Sequence, residues 1–249
     1  MRRSTKWLIA AVIAAFLVIV IANLPASLAM RWLPATIHVA GLEGTLWHGQ
    51  AVGIQAGAFD MERLEWRLHP LTLLAGKFGA RIDASSAADQ LTADMVIERS
   101  GRIEAQAIDG RINAASLAGR ALPIGWSGPV TLHFTDLVIE GGWVARLRGS
   151  AESGTLTGPP AVQPYLGSYR LTFDADADAI TGEVLGHFRD TGGPVEISGE
   201  ARLYRDRRAV VSGWVRARAG APPGVVADIA KLPETDPQGR RRFSIENSF

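Results

Sequence analysis

Five histidines, a spaced trio of aspartates and a knot of arginines are the residues of this 249-residue chain whose types could do chemistry. His38, His48, His69, His133 and His187 form no i, i+4 pair of the kind that offers two imidazoles to zinc from one helix face. His133 and His187 fall on alternating stretches, where a solvent-facing position is expected. Asp174, Asp176 and Asp178 imitate the start of a calcium loop, which needs glycine at its sixth position and glutamate at its twelfth. Ala179 and Leu185 stand there instead, so the three carboxylates are expected on the wet side of a strand or turn. The chain has no cysteine, which excludes disulfides, thiolate metal sites and a cysteine nucleophile. It shows no Gly-x-Ser-x-Gly elbow, phosphate loop or dinucleotide fingerprint. Glu65 could join another acid in general acid–base work, but spacing favours no particular pair. The expectation is a protein that is not an enzyme and holds no metal and no cofactor.

Arg202, Arg205, Arg207 and Arg208, with Arg216 and Arg218 on the following run, remain. They read either as a solvated hairpin or as a basic patch for anionic lipid headgroups or an acidic partner. The formal net charge is +1, and it falls to −2 without Arg2, Arg3 and Lys6. That balance gives no support for nucleic-acid binding, which shows a strongly basic face.

The elements that would position these groups begin with an apolar block from Trp7 to Leu24 that holds no charged side chain. At helical rise it spans about 27 Å, close to the ~30 Å of a bilayer's hydrocarbon core. Arg2, Arg3 and Lys6 precede it and only Arg31 follows closely, which places residues 1–6 in the cytoplasm and the bulk of the chain beyond the inner membrane. The same block read as a cleavable secretory signal would end at Ser27-Leu28-Ala29, and a buried core helix is the third reading. Its length, and Pro25 at its end, favour a retained transmembrane helix over residues 7–24.

From there the dominant period is two. Leu64, Trp66 and Leu68 alternate with Glu65 and Arg67; Phe78, Ala80, Ile82 and Ala84 with Arg81 and Asp83; Ile103, Ala105 and Ala107 with Glu104 and Gln106. Val130, Leu132 and Phe134 oppose Thr131 and His133, and Ala209, Val211, Gly213, Val215 and Ala217 close the set. Successive side chains on a strand point to opposite faces, so each run has one buried and one wet face. Turns are expected at Ser100-Gly101, Asp109-Gly110, Gly141-Gly142, Gly192-Gly193-Pro194 and residues 205–208. The fold class predicted is mainly β: an N-terminal transmembrane helix, then a large curved antiparallel sheet or sandwich-like periplasmic domain over 35–249. Pro159-Pro160 and Pro164 suggest two halves meeting near 155–165. Short helical segments are expected at Leu71–Leu74, where Pro70 suits a first helical position, at Asn113–Leu122 and at Val225–Lys231, with a strand near Arg242–Ile245.

One stretch departs from the generic pattern: Gly41 to Ala51, with three glycines before residue 50 and Trp47 among them. A short strand would place Leu42, Gly44 and Leu46 on one face and Thr45 and Trp47 on the other, with Gly49 at a bend or bulge. Trp47 is either a core residue or an exposed anchor for a partner.

The run Gly44-Thr45-Leu46-Trp47-His48-Gly49-Gln50 resembles the Gly-Thr-Val-Trp-Ser-Gly-type motif of the type II secretion system protein N family. That family next shows a tryptophan and a Pro-Leu-x-Leu-Leu-x-Gly pattern, matched here by Trp66, Pro70, Leu71, Leu73, Leu74 and Gly76. Leu122-Pro123, Leu166-Gly167-Ser168-Tyr169, Gly192-Gly193-Pro194 and Asp236-Pro237-Gln238-Gly239-Arg240 continue the order. His48 stands where serine is commoner, and Leu232-Pro233-Glu234 departs from the family's Leu-Gly. The resemblance implies an accessory inner-membrane component of the machine that moves folded proteins across the outer membrane. Its partners would be other secretion-system envelope proteins, and it would carry no catalytic or ligand residues. Gly44, Trp47, Gly49, Trp66, Arg205, Arg207 and Arg208 are the interaction candidates. An AsmA-like scaffold that binds or transfers lipid is the second reading, on the more distant likeness of an anchor followed by a curved sheet.

Overall fold

The computed structural model describes residues 12–13, 16, 19–28, 37–56, 59–117, 125–174, 176–177 and 181–248. The chain forms two units, Met1–Ala87 and Ala88–Phe249. Each is an antiparallel meander in which strands adjacent in sequence are adjacent in the sheet.

The first unit contains β1 (Ile37–Gly44), β2 (His48–Ala56), β3 (Phe59–His69) and β4 (Lys77–Ser85). Registers such as Gly44↔Gly49, Gly49↔Trp66 and Leu64↔Ala84 tie them in order. Leu64, Trp66 and Leu68 are partly buried between exposed Glu65 and Arg67, as their alternation requires. The connection from β3 to β4 is the short helix Pro70–Leu74, with proline in its first turn where a missing N–H is harmless. Before β1, residues 12, 13, 16 and 19–22 are helical and a 3-10 turn covers 26–28. Among the described residues no helix is long and apolar enough to cross a membrane. The basic N-terminus and much of the expected anchor lie outside the described residues.

The second unit runs β5 (Gln90–Glu98), β6 (Ile103–Asn113), β7 (Pro129–Glu140), β8 (Trp143–Ser153), β9 (Ser168–Phe173), β10 (Val184–Gly192), β11 (Val195–Leu203), β12 (Arg208–Ala217) and β13 (Arg241–Ser248). Among the described residues the strands of each unit form one continuous meander, which is the single-sheet option of the two predicted. A 3-10 turn occupies Ala114–Leu117; the remainder of the expected 113–122 helix lies outside the described residues. The segment 155–165 belongs to this unit and buries Leu156 beside Leu166, Val130 and Ala114. The helix Pro223–Ala230 presses Val225, 1% exposed, onto Val195 and Val215.

Two strand expectations are corrected. Asp109-Gly110 is not a turn: β6 runs through it and pairs on both sides, Gly110 with Leu91 and with Leu132. Ala107, expected on the dry face, is exposed with φ +48°, and Ile108 takes the buried place. The cause is a bulge: Thr92↔Asp109 is followed by Asp94↔Gln106, so β6 spends one residue more than β5. A single extra residue reverses the inward set, because the side-chain period is two. Phe78 and Ile97 also depart, 53% and 41% exposed where alternation expected cover.

Candidate interaction sites

In the first unit, Gly44, Trp47, Gly49 and Trp66 come together at one rim of the sheet. Trp47 is not on a strand. It sits, half buried, in the turn between β1 and β2, whose ends are pinned by the Gly44↔Gly49 pair and by Thr45 N–H donating to the His48 carbonyl at 2.9 Å. Gly44 takes φ +88°, open to glycine and costly for other residues. Gly49 is buried because the Trp66 ring of β3 lies against it: a Cβ there would stand 2.5 Å from a ring carbon and 2.8 Å from the Glu43 carbonyl oxygen. Trp66 Nε1–H donates to the Leu46 carbonyl at 2.9 Å, so the ring roofs the turn and fastens it. The two tryptophans that sequence separates by nineteen positions thus serve one construction.

That construction grips the preceding segment. Trp47 Nε1–H donates to the Ile21 carbonyl at 2.6 Å, and Leu46 N–H to the Leu24 carbonyl at 2.7 Å. Pro25 bridges to Thr45, and Ala26 is 2% exposed. These acceptors belong to the end of the helical stretch; the Ile21 carbonyl also accepts from Leu24 N–H at 3.3 Å, so the Trp47 indole is its second donor. Trp47 is therefore a tether: half core, half clasp. On the same rim Leu68 N–H reaches the Trp47 carbonyl at 2.7 Å. The short helix that follows is clipped to β4 by Thr72, whose Oγ1 accepts from Gly79 N–H at 2.9 Å and donates to the His69 carbonyl at 2.7 Å.

In the second unit, Arg205, Arg207 and Arg208 sit at the turn from β11 to β12. Most of the expected basic patch is neutralised internally. Arg208 reaches Asp206 at 3.4 Å and Glu246 at 3.5 Å and stacks on Tyr204. Arg202 pairs with Glu200 at 2.8 Å, Arg216 with Glu196 at 2.6 Å, and Arg218 with Asp190. Glu196 and Glu200 titrate below the ordinary carboxylate range because those guanidiniums donate to them. Arg205 and Arg207 have no carboxylate partner among the described residues and form the cationic tip. Asp176 accepts from Arg146 at 3.1 Å and from Arg148 at 2.9 Å, which makes it an ion-pair partner; Asp178 lies outside the described residues. His133 Nδ1 stands 2.5 Å from Asp109 across the β6–β7 pair, and His187 is exposed. Among the described residues no three His, Asp or Glu groups gather as a metal site would require.

An apolar cleft of about 430 Å³ in this unit has no counterpart in the sequence reading. Trp126, Leu166, Val195, Ile197, Ile229 and Phe243 are among the residues that line it. Tyr165 O–H donates to Asp228 at its mouth, and Lys231 adds a contact to the same carboxylate at 2.7 Å, which holds Asp228 below its usual range. Ile245, 61% exposed, carries the apolar lining onto the edge strand β13. Arg242 N–H turns away from β12 to the Glu234 carbonyl at 3.0 Å. Ser244 and Glu246 point their backbone the same way by the period of two, and find no backbone acceptor among the described residues. Residues from 126 to 245 build this cleft, which is why no local pattern announced it.

The turn before β13 is clipped by Asp236, whose Oδ1 accepts from the N–H of Gln238 at 3.0 Å and of Arg240 at 2.8 Å, while Oδ2 takes Arg240 Nε–H at 2.7 Å. Burial opposes ionisation of this side chain, and the Arg240 backbone and guanidinium outweigh it, so its pKa is lowered. A depressed folded pKa gives stability that is present above the unfolded value and lost as pH falls through the folded one. Acidification below the ordinary aspartate range is therefore expected to loosen the turn at Asp236, read as faster amide exchange at Gln238 and Arg240. Asp236→Asn should remove that acid dependence; an unchanged profile in the variant would refute the assignment.

Comparisons with known proteins bear on both units. The family described as "Type II secretion system (T2SS), protein N" matches residues 35–244. Type II secretion system protein N of Aeromonas hydrophila is 24% identical over 247 residues, covering 94% of this chain and 95% of the relative. The protein of the same name from Vibrio cholerae serotype O1 is 25% identical over 235 residues, covering 90% and 91%. No solved structure matches the chain.

Proposed function

Because the chain belongs to the type II secretion system protein N family, we propose that it is a structural, protein-binding subunit of the secretion apparatus, held at the inner membrane with its bulk in the periplasm. The match along residues 35–244 carries this reading. Residues 7–24 are the anchor and are retained. In support, a cut after Ala29 would remove Ala26 from the first unit, together with the Leu24 and Ile21 acceptors of the Leu46 and Trp47 N–H groups. The role is scaffolding without catalysis. Its binding mode is addition of an extended segment of another secretion component to the β13 edge, where unpaired backbone groups give affinity and the cleft beside Phe243 and Ile245 takes an apolar side chain. Arg207 at the cationic tip supplies a second point of contact for an acidic partner.

Photo-crosslinkers at Ile245 and Arg207 of the full chain in native membranes test this. The expected result is an adduct identified by mass spectrometry as another envelope component of the secretion machine. Adducts to lipid alone at both positions would overturn it. The apolar cleft is also the one observation that favours the lipid-handling alternative, since its lining suits an acyl chain. Stoichiometric phospholipid extracted from the purified chain would move the assignment to that reading.

A further inference from the structure

We propose that the rim formed by the helix Pro70–Leu74 and the start of β4 is a membrane-contact surface, which seats Leu71 and Phe78 in the lipid interface beside the anchor. The inference rests on the reading of residues 7–24 as a retained membrane helix and adds to it the orientation of the first unit on the bilayer.

Three observations converge. The first is the clasp: Trp47 and Leu46 hold the carbonyls of Ile21 and Leu24, so this rim is fixed to the end of the apolar segment. Leu68 N–H is bonded to the Trp47 carbonyl, and Leu71 follows three residues later, within about 10 Å of chain even if fully extended. The second is exposure without mobility. Leu71 is 79% exposed and Phe78 53%, yet Thr72 bonds on both sides, to His69 and Gly79, hold the helix against β4. Two large apolar side chains presented on a braced surface next to a membrane helix fit the lipid interface, where an apolar face sinks a short way past the headgroups. Trp47, with its ring on the same rim, is the residue type enriched at that depth. The third is charge. From Trp66 to Ile82 the chain carries Arg67, Lys77 and Arg81 and no aspartate or glutamate. Arg81 pairs with Asp83 at 4.0 Å and Glu43 and Glu65 lie beside Gly44 and Gly49, so it is the acid-free 66–82 stretch, not the whole rim, that suits the anionic headgroups of a bacterial membrane.

The absence of cysteine makes the test direct. Single cysteines at Leu71, Phe78, Val12 and Gln55 of the full chain would carry an environment-sensitive NBD label. Each variant is reconstituted in phosphatidylethanolamine–phosphatidylglycerol vesicles containing nitroxide lipid. Gln55 is exposed and lies near the end of β2, away from the rim. The expected result is quenching at 71 and 78 several-fold stronger than at 55, greater with the nitroxide near the headgroup than near the chain end. Val12 should respond most to the deep nitroxide. If Val12 is quenched while 71 and 78 match 55, the proposal fails and the anchor stands. If Val12 also escapes quenching, the anchor reading fails and this proposal with it. Labels at 71 and 78 that are shielded from aqueous quencher yet untouched by lipid nitroxide would mark a protein contact and likewise overturn it.

Discussion

Gly49→Val is expected to destabilise the first unit by about 3 kcal/mol, the upper range for forcing atoms into a closed site. For a body of this size that corresponds to a fall in Tm of about 15 °C. The new side chain would meet the Trp66 ring at its first carbon and the Glu43 carbonyl next, and neither can retreat. The ring is held by its bond to Leu46, and the carbonyl is part of the β1–β2 ladder. His48→Ser, one residue away on an exposed side chain, should change stability by less than about 0.5 kcal/mol. Calorimetry of the two variants separates the positions. Pairing Gly49→Val with Trp66→Leu should recover part of the loss, since the shorter side chain vacates the space. A Gly49→Val protein as stable as its parent would show that the ring does not roof the turn.

In the second unit the largest effect is expected from Val225→Asp. Val225 is the residue through which the helix Pro223–Ala230 is docked, and at 1% exposure it has no room for water beside a carboxylate. An isolated charge among Val195, Val215 and Ile197 costs several kcal/mol unless the group leaves. The cheaper outcome is release of the helix, which removes one wall of the cleft. Amide protection along 225–230 should then fall by about 100-fold, equivalent to nearly 3 kcal/mol. Val226→Asp, on the same helix at 46% exposure, should leave protection unchanged. Equal behaviour of the two variants in hydrogen exchange would remove the structural basis for the cleft. Loss of crosslinking at Ile245 in the first variant alone would tie the cleft to partner binding.

Much of the β pattern could be read from local alternation. Leu64 to Leu68 and Val130 to Phe134 lie as their period demands, and Pro70 marks a helix start because proline is at ease there, whereas the helix expected from Val225 begins two residues earlier at Pro223. The failures share a cause. At Ala107 a bulge adds a residue, and at Asp109-Gly110 turn-forming residues continue a strand because neighbours on both sides compete for the backbone. Turn chemistry is a local preference, and a ladder filled from two directions overrides it. The 44–50 run was recognisable as special, but its work was not. Its hold on Ile21 and Leu24 depends on hydrogen bonds across more than twenty residues, and composition carries no trace of them. The cationic hairpin was legible as charge, while its neutralisation by Glu196 and Asp190 needed the arrangement of β10, β11 and β12.

The order of strands has a consequence for how such a body is made. Each strand of either meander finds its partner in the segment just before it, so closing a new hairpin never waits for a distant part of the chain. Most partners are joined by short loops, which keep the entropy of closure small, while the connections before β7, β9 and β13 are longer. A polypeptide that emerges N-terminus first can therefore pair its ladder rung by rung. At every stage one edge grows while the outer edge of the first strand stays fixed.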